Sequence, residues 1–198
     1  MGKTKKTKKT RLKKAVFLDR DGVINEDSPD YIKSWAEFRF LPKAKSAVRQ
    51  LNRAGYVVIV ITNQSGVGKG VYTEQTLNEI NEKMKSELEL ADAHIDAVYY
   101  CPHAKDADCN CRKPKTGLVD KAVREQKIDL GKSWIVGDSL KHDIPLGKSA
   151  GLKTIFVRRG RLFEMDEMLS AAPDYVVEDL MEAVQIIKGS VFGEKKYL

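Results

Sequence analysis

The sequence has no apolar run approaching the roughly 18 residues of a membrane-spanning helix, and no apolar signal region near its first residue. The expectation is a cytoplasmic protein with no membrane partner. Cysteine is scarce. The 198 residues contain three, Cys101, Cys109 and Cys111, an odd number crowded into one stretch, which argues against a disulfide framework and for metal. Acid is missing from residues 1–14, which hold eight Lys or Arg. Of 35 basic and 28 acidic residues, this leaves 27 against 28 over 15–198, so the formal charge of +7 belongs to the tail. Such a Lys/Thr-rich tail is expected to be disordered and to attract phosphates or RNA weakly and in a salt-dependent way, so no specific nucleic-acid partner is expected. Long linkers and internal repeats are lacking too. With 42% hydrophobic residues, 15–198 reads as a single domain with one good core.

The organising stretch is Val16-Phe17-Leu18-Asp19-Arg20-Asp21-Gly22-Val23, an apolar run that ends abruptly in two carboxylates. In an open parallel sheet, ligands bind beyond the carboxyl ends of the strands. Because alternate strand residues share a face, Asp19 and Asp21 can look into one volume. Two such anions about 4 Å apart repel by roughly 4 kcal/mol at an effective dielectric of 20, so either a cation sits there or one acid holds a proton.

Residues 24–41 lack helical periodicity and read as a loop over that strand end, with Trp35 and Phe38 as a small hydrophobic cluster. Ala44, Ala47, Val48, Leu51 and Ala54 recur at helical spacing, Pro42 suits the helix start, and Gly55 suits its C-terminal cap. Residues 56–61 form an apolar, β-branched second strand ending in Thr62-Asn63-Gln64-Ser65-Gly66. Thr73 then caps a helix with Leu77, Ile80, Met84 and Leu88 on one face. A third strand over 95–100 runs into the cysteines, a helix covers 116–126, and a fourth strand over 133–136 stops at Gly137-Asp138-Ser139. A helix through Ile144 and Leu146 closes at Gly151, strands follow over 154–157 and 175–177, and a last helix carries Leu180, Ala183, Val184 and Ile187. This alternation predicts an α/β doubly wound, Rossmann-like parallel sheet of order 3-2-1-4-5, with helices on both faces and no large cap domain. In that order the ends of strands 1, 2 and 4 meet.

The crevice then collects Asp19, Asp21, Thr62, Asn63, Asp138 and Asp143, with Lys113 just after the third strand. Three carboxylates with a hydroxyl and an ammonium suit a hard cation and an anionic oxygen ligand, which means Mg²⁺ and phosphate. A second constellation is Cys101-x-His103-x5-Cys109-x-Cys111. Three thiolates and an imidazole satisfy four-coordinate Zn²⁺ and leave no open position, so a structural zinc loop is expected over 101–111, holding Arg112 and Lys113 over the phosphate site. His94 and His142 read as ordinary helix-end or surface residues. Gly66-Val67-Gly68-Lys69-Gly70 suggests a P-loop, but Asn63 stands at the place of its first glycine and Gly70 at that of its Ser/Thr. It reads as a flexible turn.

Asp19-Arg20-Asp21-Gly22-Val23, Thr62, Lys113-Pro114, and Gly137-Asp138 with Asp143 resemble, in order, the four motifs of the haloacid dehalogenase superfamily of phosphotransferases. Within it the chain is similar to the capless histidinol-phosphatase and heptose-bisphosphate phosphatase group, through Asp19 to Asn25, Thr62 to Gly66, Cys101-Pro102-His103 and Cys109 to Pro114. The resemblance implies Asp19 as nucleophile, forming an aspartyl-phosphate, and Asp21 as general acid and base. It implies Thr62 and Lys113 as the phosphoryl grip, and Mg²⁺ on the carboxylates of Asp19 and Asp138 and the backbone carbonyl of Asp21. Asn25, Asp27, Ser28 and Tyr31 resemble the sugar-binding loop of the heptose-bisphosphate phosphatases. The gap from His103 to Cys109 is closer to the histidinol-phosphatases, and Asp138-x4-Asp143 departs from both. The expected substrate contacts are Asp27, Ser28, Tyr31, Asn63, Gln64, Ser65 and Arg112, the last for a second anionic group. The expectation is a monomeric phosphatase of a small phosphorylated metabolite, a heptose 1,7-bisphosphate before histidinol phosphate. The alternative from another class is a zinc-stabilised RNA-binding protein.

Overall fold

The computed structural model describes residues 12–189, so most of the expected basic tail, and residues 190–198 of the expected domain, lie outside the described residues. Strand β1 (Ala15–Leu18) is buried on both faces. Val16 and Leu18 pack among Val48, Leu51, Ile80, Met84, Ala183 and Val184 on one side, and Ala15 and Phe17 among Leu118, Val119 and Leu146 on the other. Complete burial of side chains of this size contributes roughly 1.5–3 kcal/mol each, which makes β1 a rigid base for the acids that follow it.

The chain continues through α1 (Ala44–Arg53), β2 (Val57–Asn63), α2 (Ser65–Gly68), α3 (Glu74–Glu89), β3 (Ala97–Cys101), α4 (Gly117–Gln126), β4 (Trp134–Gly137), α5 (Asp143–Ser149), β5 (Lys153–Val157), α6 (Met165–Ala171), β6 (Tyr175–Val177) and α7 (Leu180–Ile187). The six strands are parallel, in the order β3-β2-β1-β4-β5-β6. The expected order 3-2-1-4-5 therefore holds, with the short Tyr175–Val177 strand added at the β5 edge. Leu18 is in register with Val60 of β2 and Val136 of β4, so Asp19, Thr62 and Asp138 fall within one residue of the same level at the strand ends. Among the described residues, no helix is long and apolar enough to cross a membrane.

Several boundaries differ from expectation, each for a local reason. Helix α1 begins at Ala44 rather than Pro42, because Lys43 takes a left-handed conformation with φ 63°. Strand β3 begins at Ala97, because the Asp96 carboxylate already accepts the N–H of Val58 at 2.8 Å. The 66–70 stretch is a turn only at 69–70. It includes most of α2, and a Cβ at Gly66 or Gly68 would collide with the Tyr72 ring or with the backbone around Pro102 and His103. Those glycines, poor in helix propensity, are there for close packing. Helix α6 had no periodic signal. It is short, and Met165 and Leu169 are exposed. Thr73 does cap α3, accepting the N–H of Thr76 at 3.1 Å, and Trp35 stacks on Phe38 at 4.8 Å within a 3-10 turn (Trp35–Glu37).

Candidate active site

Beyond the ends of β1, β2 and β4 lies a cleft of about 200 Å³. It is lined by Asp19, Asp21, Asp27, Ser28, Tyr31, Thr62, Asn63, Gln64, Arg112, Lys113 and Asp138, together with Ile32, Ser139 and His142. All the expected catalytic residues stand there, and so do all the expected substrate residues except Ser65, which is buried at the start of α2.

At the floor, carboxylate oxygens of Asp19, Asp138 and Asp143 lie within 4.8 Å of one another. Two glycines permit this. A Cβ at Gly22, which has φ 83°, would collide with the carboxylate of Asp138, and one at Gly137 would collide with that of Asp143. Lys113 joins the cluster from the loop after β3. Its Nζ lies 2.9 Å from Asp19 Oδ1 and 2.7 Å from Asp143 Oδ1, and donates to the Ile61 carbonyl at 3.0 Å. Asp143 opens α5 fully buried, accepts the Ser139 N–H at 3.1 Å, and holds Lys113. Asn63 clamps the same lysine by its main chain, accepting its N–H at 3.0 Å and donating to its carbonyl at 3.2 Å.

One ammonium among three acids, Asp143 buried and the other two mostly so, leaves negative charge in excess. Burial pushes the Asp19 carboxyl well above its ordinary range against the pull of Lys113, with Asp143, Asp138 and Asp21 adding to the rise. Burial and Asp143 likewise push Asp138 up to about 6, while Arg161 opposes the shift from 3.1 Å. Lys113 is held above its ordinary value. Burial works against its charge, but Asp143 and Asp19 outweigh it. Hard oxygen donors short of positive charge fit a divalent cation. The pH consequence is distinctive. A raised acid means that the folded protein binds more protons than the unfolded one, so stability falls as pH rises between the two values. Without divalent cation, the melting temperature is expected to fall as pH rises from 4 through about 6, and saturating Mg²⁺ should flatten that slope.

Asp21 has the opposite environment. Burial disfavours its charge, but Arg20, Asn25 and Gln64 together hold its carboxyl below the usual range. Arg20 is fully buried and forks onto both oxygens at 3.0 and 3.1 Å. Asn25 Nδ2 donates to Oδ1 at 2.8 Å and Gln64 Nε2 to Oδ2 at 2.7 Å.

Three features here had no part in the sequence expectations. Arg20 is the anchor of Asp21, and its position between two acids was the available signal. Arg161 donates to the Asp138 carbonyl and carboxylate at 2.9 and 3.1 Å from a loop distant in sequence, with no local pattern to mark it. Ser139 lines the cleft. His142, expected at a helix end or on the surface, does stand at the start of α5, and it also lines the cleft beside Ser139 Oγ, 2.9 Å from its Nδ1. His94, by contrast, is exposed as expected.

The second constellation is also assembled. One ligand atom each from Cys101, His103, Cys109 and Cys111 lies within 4.8 Å of the others. Cys101 Sγ is 3.7 Å from Cys109 Sγ, and His103 Nδ1 is 3.2 Å from Cys111 Sγ. Tetrahedral bonds of about 2.3 Å place ligand atoms about 3.7 Å apart, so the set fits a closed tetrahedral metal centre. Cys101 ends β3, and its carbonyl accepts the Gln64 N–H at 2.8 Å, while Lys115 Nζ ties down the Cys109 carbonyl at 2.7 Å. The loop therefore links the end of β2 to Arg112 and Lys113.

A family model described as HAD-hydrolase-like matches residues 110–183. A D-glycero-beta-D-manno-heptose-1,7-bisphosphate 7-phosphatase of Pasteurella multocida is 36% identical over 185 residues, 90% of this chain and 98% of the relative. That of Haemophilus influenzae is 35% identical, over 89% and 98% respectively. The crystal structure of a D,D-heptose 1,7-bisphosphate phosphatase from B. bronchiseptica, complexed with magnesium and phosphate, superposes with a TM-score of 0.79 at 34% identity, covering 90% of this chain and 99% of that one. Identity at this level over nearly the whole length of these relatives, with the sheet order and acid-lined cleft found here, places the chain in the D-glycero-beta-D-manno-heptose-1,7-bisphosphate 7-phosphatase family of HAD-like hydrolases.

Proposed function

We propose that the chain hydrolyses the 7-phosphate of D-glycero-D-manno-heptose 1,7-bisphosphate. The observation that carries this reading is the meeting of Asp19 and Asp138, from two different strand ends, beside Lys113 and Thr62 in one cleft. The carboxylates of Asp19 and Asp138 and the backbone carbonyl of Asp21 would hold Mg²⁺. Its charge lets an anionic carboxylate approach an anionic phosphate. Thr62 and Lys113 grip the phosphoryl oxygens, where a fixed charge in a partly dry site has most effect.

An Asp19 oxygen bonds to phosphorus as the ester P–O bond breaks, and Asp21 passes a proton to the departing alkoxide. Before substrate binds, Arg20, Asn25 and Gln64 keep Asp21 anionic. The charge of an incoming phosphate opposes that hold, so Asp21 takes up its proton as substrate binds. It then removes a proton from the water that attacks the aspartyl-phosphate, which releases phosphate and restores Asp19. Asp27, Ser28 and Tyr31 face the sugar, and Arg112 takes the second phosphate through its planar fork. Asn63 and Gln64 face the same cleft, and their side chains also hold Lys113 by its main chain and Asp21, Thr62, Tyr72 and Arg20.

The test is a panel of phosphate esters with Mg²⁺ that includes the heptose bisphosphate, the corresponding 1-monophosphate and 7-monophosphate, and histidinol phosphate. Preference for the bisphosphate with loss of the 7-phosphate is expected. Equal, feeble turnover of all of them would refute the proposal.

Zn²⁺ is proposed for the Cys101, His103, Cys109 and Cys111 cluster, as a structural ion in a loop with little core of its own. Cys109→Ser should release zinc first and reduce turnover as a consequence, because Arg112 and Lys113 lose their support. Metal analysis alongside turnover checks the order of these losses. We further propose a cytoplasmic monomer.

A further inference from the structure

The Gln64 carboxamide is saturated, and its four partners are unlike one another. Its oxygen accepts from the Tyr72 hydroxyl at 2.6 Å and from Arg20 Nη2 at 3.2 Å. Its nitrogen donates to Asp21 Oδ2 at 2.7 Å and to Thr62 Oγ1 at 2.8 Å. Only this orientation works. Turned over, the amide would set its oxygen against the Asp21 carboxylate and its N–H groups against a guanidinium and a phenol. Because Thr62 Oγ1 accepts from Gln64, the single hydroxyl proton of Thr62 is left for another acceptor, and the cleft is where an acceptor arrives.

Tyr72 is buried between α2 and α3 and is not among the residues that line the cleft. Its ring rests on Gly66, where a Cβ would collide with it, and packs edge-on to Tyr31 with centroids 6.3 Å apart. Burial pushes its phenol up to about 12, so it remains a donor through any working pH. At the other end of the same network, Arg20 Nη1 donates to Asn81 Oδ1 at 3.2 Å, and Asn81 is a buried polar residue on α3.

We propose that Tyr72 is a positioning residue for proton transfer, its hydroxyl locking the Gln64 carboxamide so that its N–H holds the Asp21 carboxylate in line with the leaving group. Asn81 does the same from the opposite side, by fixing the guanidinium of Arg20. The inference rests on the acid–base role proposed above for Asp21. A side chain that never meets substrate thus acts on the leaving-group proton through one intermediary.

The test uses leaving groups that differ in their need for that proton. In the full-length enzyme with Mg²⁺, kcat/KM reports events up to the departure of the alcohol, so it is read for the heptose bisphosphate, whose alkoxide needs protonation, and for p-nitrophenyl phosphate, whose phenolate does not. Tyr72→Phe keeps the ring and should lower the sugar-phosphate value about fivefold, the scale of one neutral hydrogen bond, and the aryl value by less than about twofold. Asn81→Ala, entering through Arg20, should show the same asymmetry, and circular dichroism should show both variants folded. Equal losses on the two substrates, or no loss on either, would overturn the inference. Asp21→Asn separates this failure from the deeper one. If it keeps full turnover of the sugar phosphate, the acid–base reading itself is wrong. If it loses that turnover while Tyr72→Phe leaves the ratio unchanged, only the part given to Tyr72 fails.

Discussion

Asp19→Asn is expected to lower turnover by roughly four orders of magnitude or more, the scale seen when a covalent nucleophile is removed, and to leave the fold intact. The structural half of this expectation is the unusual one. Removing a mostly buried, ion-paired acid ordinarily costs stability. Here the acid belongs to a cluster with more carboxylates than cations, and its own carboxyl is pushed up by burial and three acidic neighbours despite Lys113. Asparagine keeps an Oδ1 to accept the Arg20 N–H, now made at 2.7 Å, and Lys113 keeps Asp143. The melting temperature without divalent cation should therefore stay level or rise. A large fall in stability would mean that Asp19 is a structural acid.

Lys113→Met is expected to damage both activity and fold. Two carboxylates lose their counter-ion at once, and Asp143 has no solvent exposure through which to recover. Breaking a buried pair from one side costs roughly 3–5 kcal/mol, a large part of the 5–15 kcal/mol typical of a domain. At this chain length the loss amounts to about 6–20 °C in melting temperature. Thermal denaturation at neutral pH measures it. Added Mg²⁺ should recover more stability in this variant than in the parent protein, because the cation then neutralises Asp19 alone. Turnover should not return, since the ammonium that grips the phosphoryl oxygens is gone.

The legible part of this molecule is the part fixed by short-range pattern. The run ending in Asp19, the β-branched strand ending in Thr62 and the short strand ending in Asp138 announce themselves because apolar continuity stops where polarity starts. Parallel-sheet topology then brings their ends together. The cysteine cluster is legible because its spacing is itself the geometry. Residues that act across long separations leave no such trace. Arg161 reaches Asp138 from 23 positions away, and Asn81 reaches Arg20 from 61. His142 differs: its place in the cleft depends on where α5 starts, and it stands just before that start. The glycines of α2 misled for a physical reason. Their weak helix propensity was overridden by close contact with Tyr72 and the backbone around Pro102.

The central claim is that an oxygen of Asp19 bonds to phosphorus during turnover. Acid-quenching the enzyme within its first turnover of heptose bisphosphate, followed by mass analysis of the peptide that contains residue 19, tests this most directly. A phosphoryl group on Asp19 that forms and decays at the rate of turnover is the predicted result. An enzyme that turns over at full rate while Asp19 stays unmodified at every quench time would contradict the account.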